Sequence, residues 1–284
     1  MAADTIDITW NGVTLSHEGP YRVADLTGWE DLPGGRIDAV ARPNRHGAFD
    51  APIWAEARTV SVDGYCIDPD ARDTLLQDLA AAAVYTGDAV AGTLSVTFAG
   101  RTLTASARLA RSARSLKYWG VGHFGFAIDW WCPDPFRYGE QATGSTGLPD
   151  DSSGLVFPLF DGTSLLTFGA VGSLGRITMT NPGTADCYPQ FDVLGPLDTG
   201  FELLDVGSGR RLRYEGVIPT GVHVVLDSRT GTASYDGVPG YDGHLTVRQW
   251  WTIPAAGSSV VQLSTLGSSD PAVTLSATWK PTYW

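Results

Sequence analysis

The chain has 284 residues, 43% of them hydrophobic and 11% aromatic, which is ample apolar material for two cores, so two domains of roughly 130 residues are expected. With 19 Lys and Arg against 31 Asp and Glu it carries a net charge of -12, which excludes binding of nucleic acid or an anionic membrane over a broad face. No stretch reaches the length of a membrane span, the start MAADTIDITW has no export signal, and Cys66, Cys132 and Cys187, without CxxC spacing, read as buried thiols rather than disulfides or metal ligands.

Residues 6 to 15 alternate in polarity around Asn11-Gly12, a strong hairpin signal. Pro20 to Asp38 is rich in turn residues, centred on Leu32-Pro33-Gly34-Gly35, and is followed by Arg42-Pro43-Asn44-Arg45-His46-Gly47, a basic loop in an acidic chain. Arg42 and Arg45 are candidate contacts to an acidic patch on a neighbouring subunit. Ala57 to Tyr65 reads as a strand. A helix is predicted over about 68–85: Asp68 caps it, Pro69 suits its first position, Asp70 faces the positive end of the dipole, and Ala71, Leu75, Leu79 and Ala82 make one apolar stripe.

Residues 92–98 and 101–109 read as a second hairpin about Ala99-Gly100, and 111–119, with Arg111, Arg114 and Lys117, as an exposed loop. Phe124, Phe126 and Ile128 alternate with small or polar residues as a half-buried strand does, and Cys132-Pro133-Asp134-Pro135 stops it, because each proline removes a ladder donor. Trp131, Pro133, Pro135 and Tyr138 are therefore the candidate domain junction. The reading is a mainly β protein. An N-terminal β domain with one helix covers 1–139, a linker covers 140–160 (small and polar, EQATGSTGLPDDSSG at its start), and a β-sandwich or jelly roll covers 161–284. Its strands are expected at 176–179, 190–194, 201–205, 211–214, 223–227, 232–235, 244–251, 259–263 and 272–279, spaced as in a sandwich.

Signatures of catalysis are absent: there is no GxSxG, HExxH or P-loop, and His17, His46, His123, His223 and His244 are scattered. No cofactor or metal is called for. Asp150-Asp151 lies in the linker, where nothing would fix a pair of carboxylates, and Asp129 is the better candidate for a hydrolase acid, although a strand-end carboxylate is the plainer reading. Trp250 and Trp251 are neighbours on a predicted strand, so one faces the core and the other is free for a subunit contact or, as a rival, for stacking on host glycan.

The arrangement resembles the distal tail proteins of long, non-contractile-tailed phages of actinobacteria. The residues that carry the resemblance are the RPNRHG loop before a strand ending in Asp63-Gly64, the DPDAR helix start, Pro133 to Gly139, and Asn181-Pro182-Gly183-Thr184-Ala185 leading to Tyr188-Pro189 and Gly195-Pro196. The Trp250 to Gly257 segment and Trp279-Lys280-Pro281-Thr282-Tyr283 complete the set, in family order over nearly the whole chain. With Lys117 and Lys280 as the sole lysines, the composition also looks like that of a GC-rich coding genome. The resemblance implies an N-terminal domain that closes into a hexameric ring and a galectin-like C-terminal sandwich. It implies a virion protein at the distal end of the tail, joining the tube protein to the tail-associated tip protein and receptor-binding proteins, with DNA passing an acidic lumen unbound. It implies no enzyme. Galectins hold sugar through a His-x-Asn-Pro-Arg strand, and no such string stands near His223 or His244, so the sandwich is expected to dock proteins rather than glycans.

Overall fold

The computed structural model describes residues 6–66, 92–115, 124–149, 173–267 and 272–284, together with Asp68 and the helical positions Thr74, Gln77, Asp78 and Ala81. Those four positions are exposed and share one helical face. The other positions of the predicted helix 68–85 lie outside the described residues, as do His123 and Asp150-Asp151. The chain divides into two compact units, Met1–Gly139 with Tyr283–Trp284, and Glu140–Thr282.

The first unit begins with the hairpin β1 (Asp7–Trp10) and β2 (Val13–Ser16). Its turn places Asn11 at φ 44° and Gly12 at φ 86°, left-handed geometry that follows the strand twist. The same device joins β7 (Gly92–Phe98) to β8 (Arg101–Ser115), here with Ala99 at φ 50° and Gly100 at φ 75°. With β3 (Tyr21–Thr27), β6 (Arg58–Cys66) and β9 (Phe124–Cys132), these strands form an antiparallel sheet of order β2-β1-β7-β8-β9-β6-β3. β8 pairs with β7 through its first half and with β9 through its second, and a register shift between Leu109 and Arg111 marks the change. The predicted loop at 111–119 is corrected here: 111–115 continue β8 against β9, and 116–119 lie outside the described residues. Arg111 faces solvent, so this stretch lacks the apolar run by which a strand is recognised.

Alternate residues of these strands fill one core, among them Ile8, Trp10, Val60, Leu94, Ile128 and Trp130. Between β3 and β6 the chain leaves the sheet as an arm. β4 (Gly35–Ile37) pairs with β5 (Ile53–Ala55), placing Arg36 opposite Trp54 and Ile37 opposite Ile53. Beyond them the Phe49 amide donates to the Val40 carbonyl at 2.9 Å and the Arg42 amide to the Gly47 carbonyl at 3.1 Å. The short β10 (Arg137–Tyr138) follows the prolines and pairs with β8, Tyr138 opposite Thr104.

The second unit is built of two antiparallel sheets. One has the order β11 (Ala142–Gly147), β21 (Thr274–Trp279), β13 (Gln190–Leu194), β16 (His223–Asp227), β17 (Thr232–Tyr235), β18 (Val238–Pro239). The other runs β12 (Arg176–Asn181), β20 (Gly257–Thr265), β14 (Gly200–Asp205), β15 (Arg211–Glu215), β19 (Leu245–Arg248). Phe191 and Leu226 from the first and Phe201 and Leu263 from the second share a core in which each is fully buried, the pattern of a sandwich.

Two expectations change. Ala142–Gly147, read as linker, is an edge strand paired with β21 along its whole length; it contains no large apolar residue, so alternation had nothing to show. The predicted strand 244–251 is shorter: Asp242–His244 forms a 3-10 turn, β19 stops at Arg248, and Trp250 and Trp251 lie beyond it.

Candidate assembly surface

The arm is held at its root by two arginines. Arg58, 2% exposed, begins β6; its Nη1 donates to the carbonyls of Gly28 at 2.8 Å, Trp29 at 3.0 Å and Asp31 at 2.6 Å, and its Nε to that of Pro135 at 3.0 Å. One guanidinium thus gathers the chain entering the arm and the proline turn after β9. Burial, reinforced by the positive charge of Arg137, lowers the Arg58 pKa from its usual value. Arg137, also buried, pairs with Glu30 at 2.7 Å and lies 5.6 Å from the centre of the Trp29 ring. Glu30, half exposed, is the carboxylate partner of Arg137, while around Arg58 backbone carbonyl dipoles supply the compensation that burial of the charge demands.

Outward from this fixed root the arm is apolar and unburied. Leu32 is 76% exposed, Val40 69%, Ile53 65% and Trp54 61%, with Ile37 and Phe49 above half. Among the described residues none of the six belongs to either core. A two-stranded ribbon gains too little burial to be stable by itself in water, and apolar side chains gathered on one exposed element mark a contact surface. Arg42 and Arg45 stand at its tip, both exposed, with the Arg42 guanidinium 5.7 Å from the Phe49 ring centre.

The remaining predicted site residues separate. Trp251 is 3% exposed, its ring 5.2 Å from Phe191; as a subunit contact it is withdrawn, because its aromatic surface is already spent on the core. Trp250 is half-buried against the same core, and its carbonyl accepts from Arg210 at 3.0 Å. Trp131 is 40% exposed on the outer face of β9. Pro133 is exposed, Pro135 supplies the carbonyl taken by Arg58, and the Tyr138 hydroxyl donates to Asp134 at 2.6 Å. All four lie just before the first unit's boundary at Gly139. Asp129 faces Arg111 at 4.0 Å, an ion pair rather than a carboxylate set in an apolar pocket. Among the described residues no group of His, Cys, Asp and Glu is placed to share a metal ion. Arg58, Arg137 and the apolar arm residues escaped the sequence reading. The signal available was Leu32, Ile37, Val40, Phe49, Ile53 and Trp54 in a stretch otherwise made of turn residues.

The fold of this chain is similar to that of a solved phage protein. The solved structure of phage SPP1 Dit (gp 19.1), described as a paradigm of the hub adsorption apparatus in phages infecting Gram-positive bacteria, superposes with a TM-score of 0.65 at 11% identity, covering 98% of this chain and 99% of that one. Chains of the phage p2 baseplate in its activated conformation align at TM-scores of 0.47 with strontium and 0.46 with calcium, each at 11% identity and nearly full coverage. The sequence matches no protein-family profile and no curated protein.

Proposed function

We propose that this chain is a distal tail protein: a non-enzymatic virion component that closes into a hexameric ring at the end of a long phage tail and joins the tube to the tip and receptor-binding apparatus. The observation that carries the reading is the fold, which is similar to that of SPP1 Dit over 98% of this chain. The exposed apolar arm supports it, since apolar side chains gathered on one exposed element mark a contact surface. Head-to-tail contacts under a closing rotation make a ring, and a chain of net charge -12 offers DNA a lumen with few phosphate-binding cations.

The test is the mass of the purified chain by light scattering over a range of concentrations. A hexamer is the expected result. A species that remains monomeric alone and with its tube protein sinks the ring.

A further inference from the structure

We propose that the arm of one copy docks on the outer face of β3, β6 and β9 of the next copy, with Arg42 and Arg45 seated at the Asp25 and Asp63 carboxylates. This rests on the ring reading and names the two surfaces that would make its contact.

The receiving face is on the same unit as the arm. Asp25 and Asp63 are cross-strand partners in the β3–β6 register, and both are exposed. Their neighbours show which way they point. Val62 is in the core and Leu26 packs against it, so the paired Asp25 and Asp63 project from the opposite side. Like charges directly opposed across a sheet are destabilising unless a cation joins them. Arg111, on the same outer surface, is engaged with Asp129, and Arg22 stands opposite Tyr65, nearer the start of β3.

Around the acidic pair the face suits a ribbon. Tyr65 and Trp131 are each 40% exposed, and between them Ser61, Gly125 and Ala127 alternate outward with little side chain to stand in the way. Among the described residues β3 is the last strand of its sheet, with Asp25 beside a register shift, and an edge strand of this kind can take a partner.

The arm carries the complement. From Ala39 to Phe49 it has Arg42, Arg45 and His46 and no acidic residue. Seven residues from Gly35 to Ala41, at up to about 3.3 Å each, can carry that tip roughly 23 Å from the root. Apolar residues along its length would cover Tyr65, Trp131 and the small residues between them, while the tip neutralises the aspartates. The charge needed on each side is supplied by one sequence, which selects a second copy as the occupant. Arm and face are different surfaces, so the contact is head-to-tail and able to close a ring.

Charge reversal tests this with three proteins: R42E/R45E, D25K/D63K and the fourfold variant. Light scattering should show the wild-type oligomer lost in each double variant, with dissociation raised about a hundredfold or more by the like-charge contact. Oligomers should return in the fourfold variant. They should also return when the two double variants are mixed, because arms and faces then match alternately around a ring. Recovery on mixing shows that neither variant is simply misfolded. An oligomer indifferent to both double variants overturns the docking and leaves the ring reading intact. Loss without recovery overturns the pairing of arm with this face. A wild type that stays monomeric at every concentration, alone and with its tube protein, overturns both readings.

Discussion

Nε of Arg137 donates to the carbonyl oxygen of Trp284 at 3.1 Å, across 147 positions of sequence. The same guanidinium meets Glu30 at the root of the arm, and beside it Phe136 and Trp284 hold ring centres 4.5 Å apart. The last two residues of the chain are thereby part of the first unit, and what fixes them also braces the arm.

Replacement of Arg137 by Ala is expected to destabilise the first unit by about 3 kcal/mol, since a buried donor is lost while the Trp284 carbonyl and Glu30 lose their partner. Arg58→Met should cost at least as much, because the carbonyls of Gly28, Trp29, Asp31 and Pro135 would share one loss. Hydrogen exchange resolved by unit is the suitable measurement, because a chain of two units need not unfold in one step. Loss of protection confined to the second unit would contradict the assignment.

Asn181 predicts a second sensitive point. It is fully buried; its Nδ2 donates to the carbonyls of Ala185 at 2.8 Å, Ile253 at 3.3 Å and Pro254 at 3.2 Å, and its Oδ1 accepts from the amides of Gly183 at 3.0 Å and Thr282 at 3.2 Å. Asn181→Leu keeps the volume and strands the backbone groups, for an expected loss of about 2–4 kcal/mol. At Gly183 a Cβ would stand 1.9 Å from the Thr282 carbonyl oxygen, so Gly183→Ala must displace backbone. Both variants should lower the denaturation midpoint of the second unit while protection in the first is unchanged.

The three thiols should be inert in the native protein. Burial pushes the Cys132 thiol from 9.0 up to about 11, against the opposing pull of Arg58, and burial likewise raises Cys66 and Cys187. A thiol reagent below pH 9.0 should find none of them until denaturant is added, then all three. Folding favours the protonated thiol, so its contribution to stability is complete below the unfolded pKa and is lost as pH rises from 9.0 through about 11. Denaturation midpoints should fall over that interval, and Cys132→Ala should reduce the slope.

Ala99 offers a gain. It sits at φ 50° in the β7–β8 turn, where an alanine Cβ is crowded and Asn is better tolerated. Ala99→Asn is expected to stabilise the hairpin by about 0.5–1 kcal/mol, read as a higher thermal midpoint. An unchanged or lower midpoint would refute the argument.

Sequence by itself determined where local pattern is strong. Asn11-Gly12 marks the first hairpin because few residue pairs accept two left-handed φ angles, and Pro133 and Pro135 end β9 because neither can donate to the ladder. The strands 190–194, 223–227 and 232–235 fall where alternation puts them. Where alternation carries no apolar signal it failed: β11 has only small and polar residues, and the end of β8 presents arginine to solvent. Trp250 and Trp251 were opposed on one face rule, yet the backbone leaves the strand before them, and only packing against Phe191 decided that Trp251 is core.

The candidate surface divides in the same way. Arg42 and Arg45 could be singled out because a basic cluster in an acidic chain is visible without coordinates. That Leu32, Val40 and Trp54 are left exposed, that Asp25 stands opposite Asp63, and that Arg58 joins Gly28 to Pro135 all depend on which distant segments meet. Turn geometry and strand period are written in a few adjacent residues. Burial and pairing are settled only when the whole sheet has formed, because each depends on partners tens of positions away.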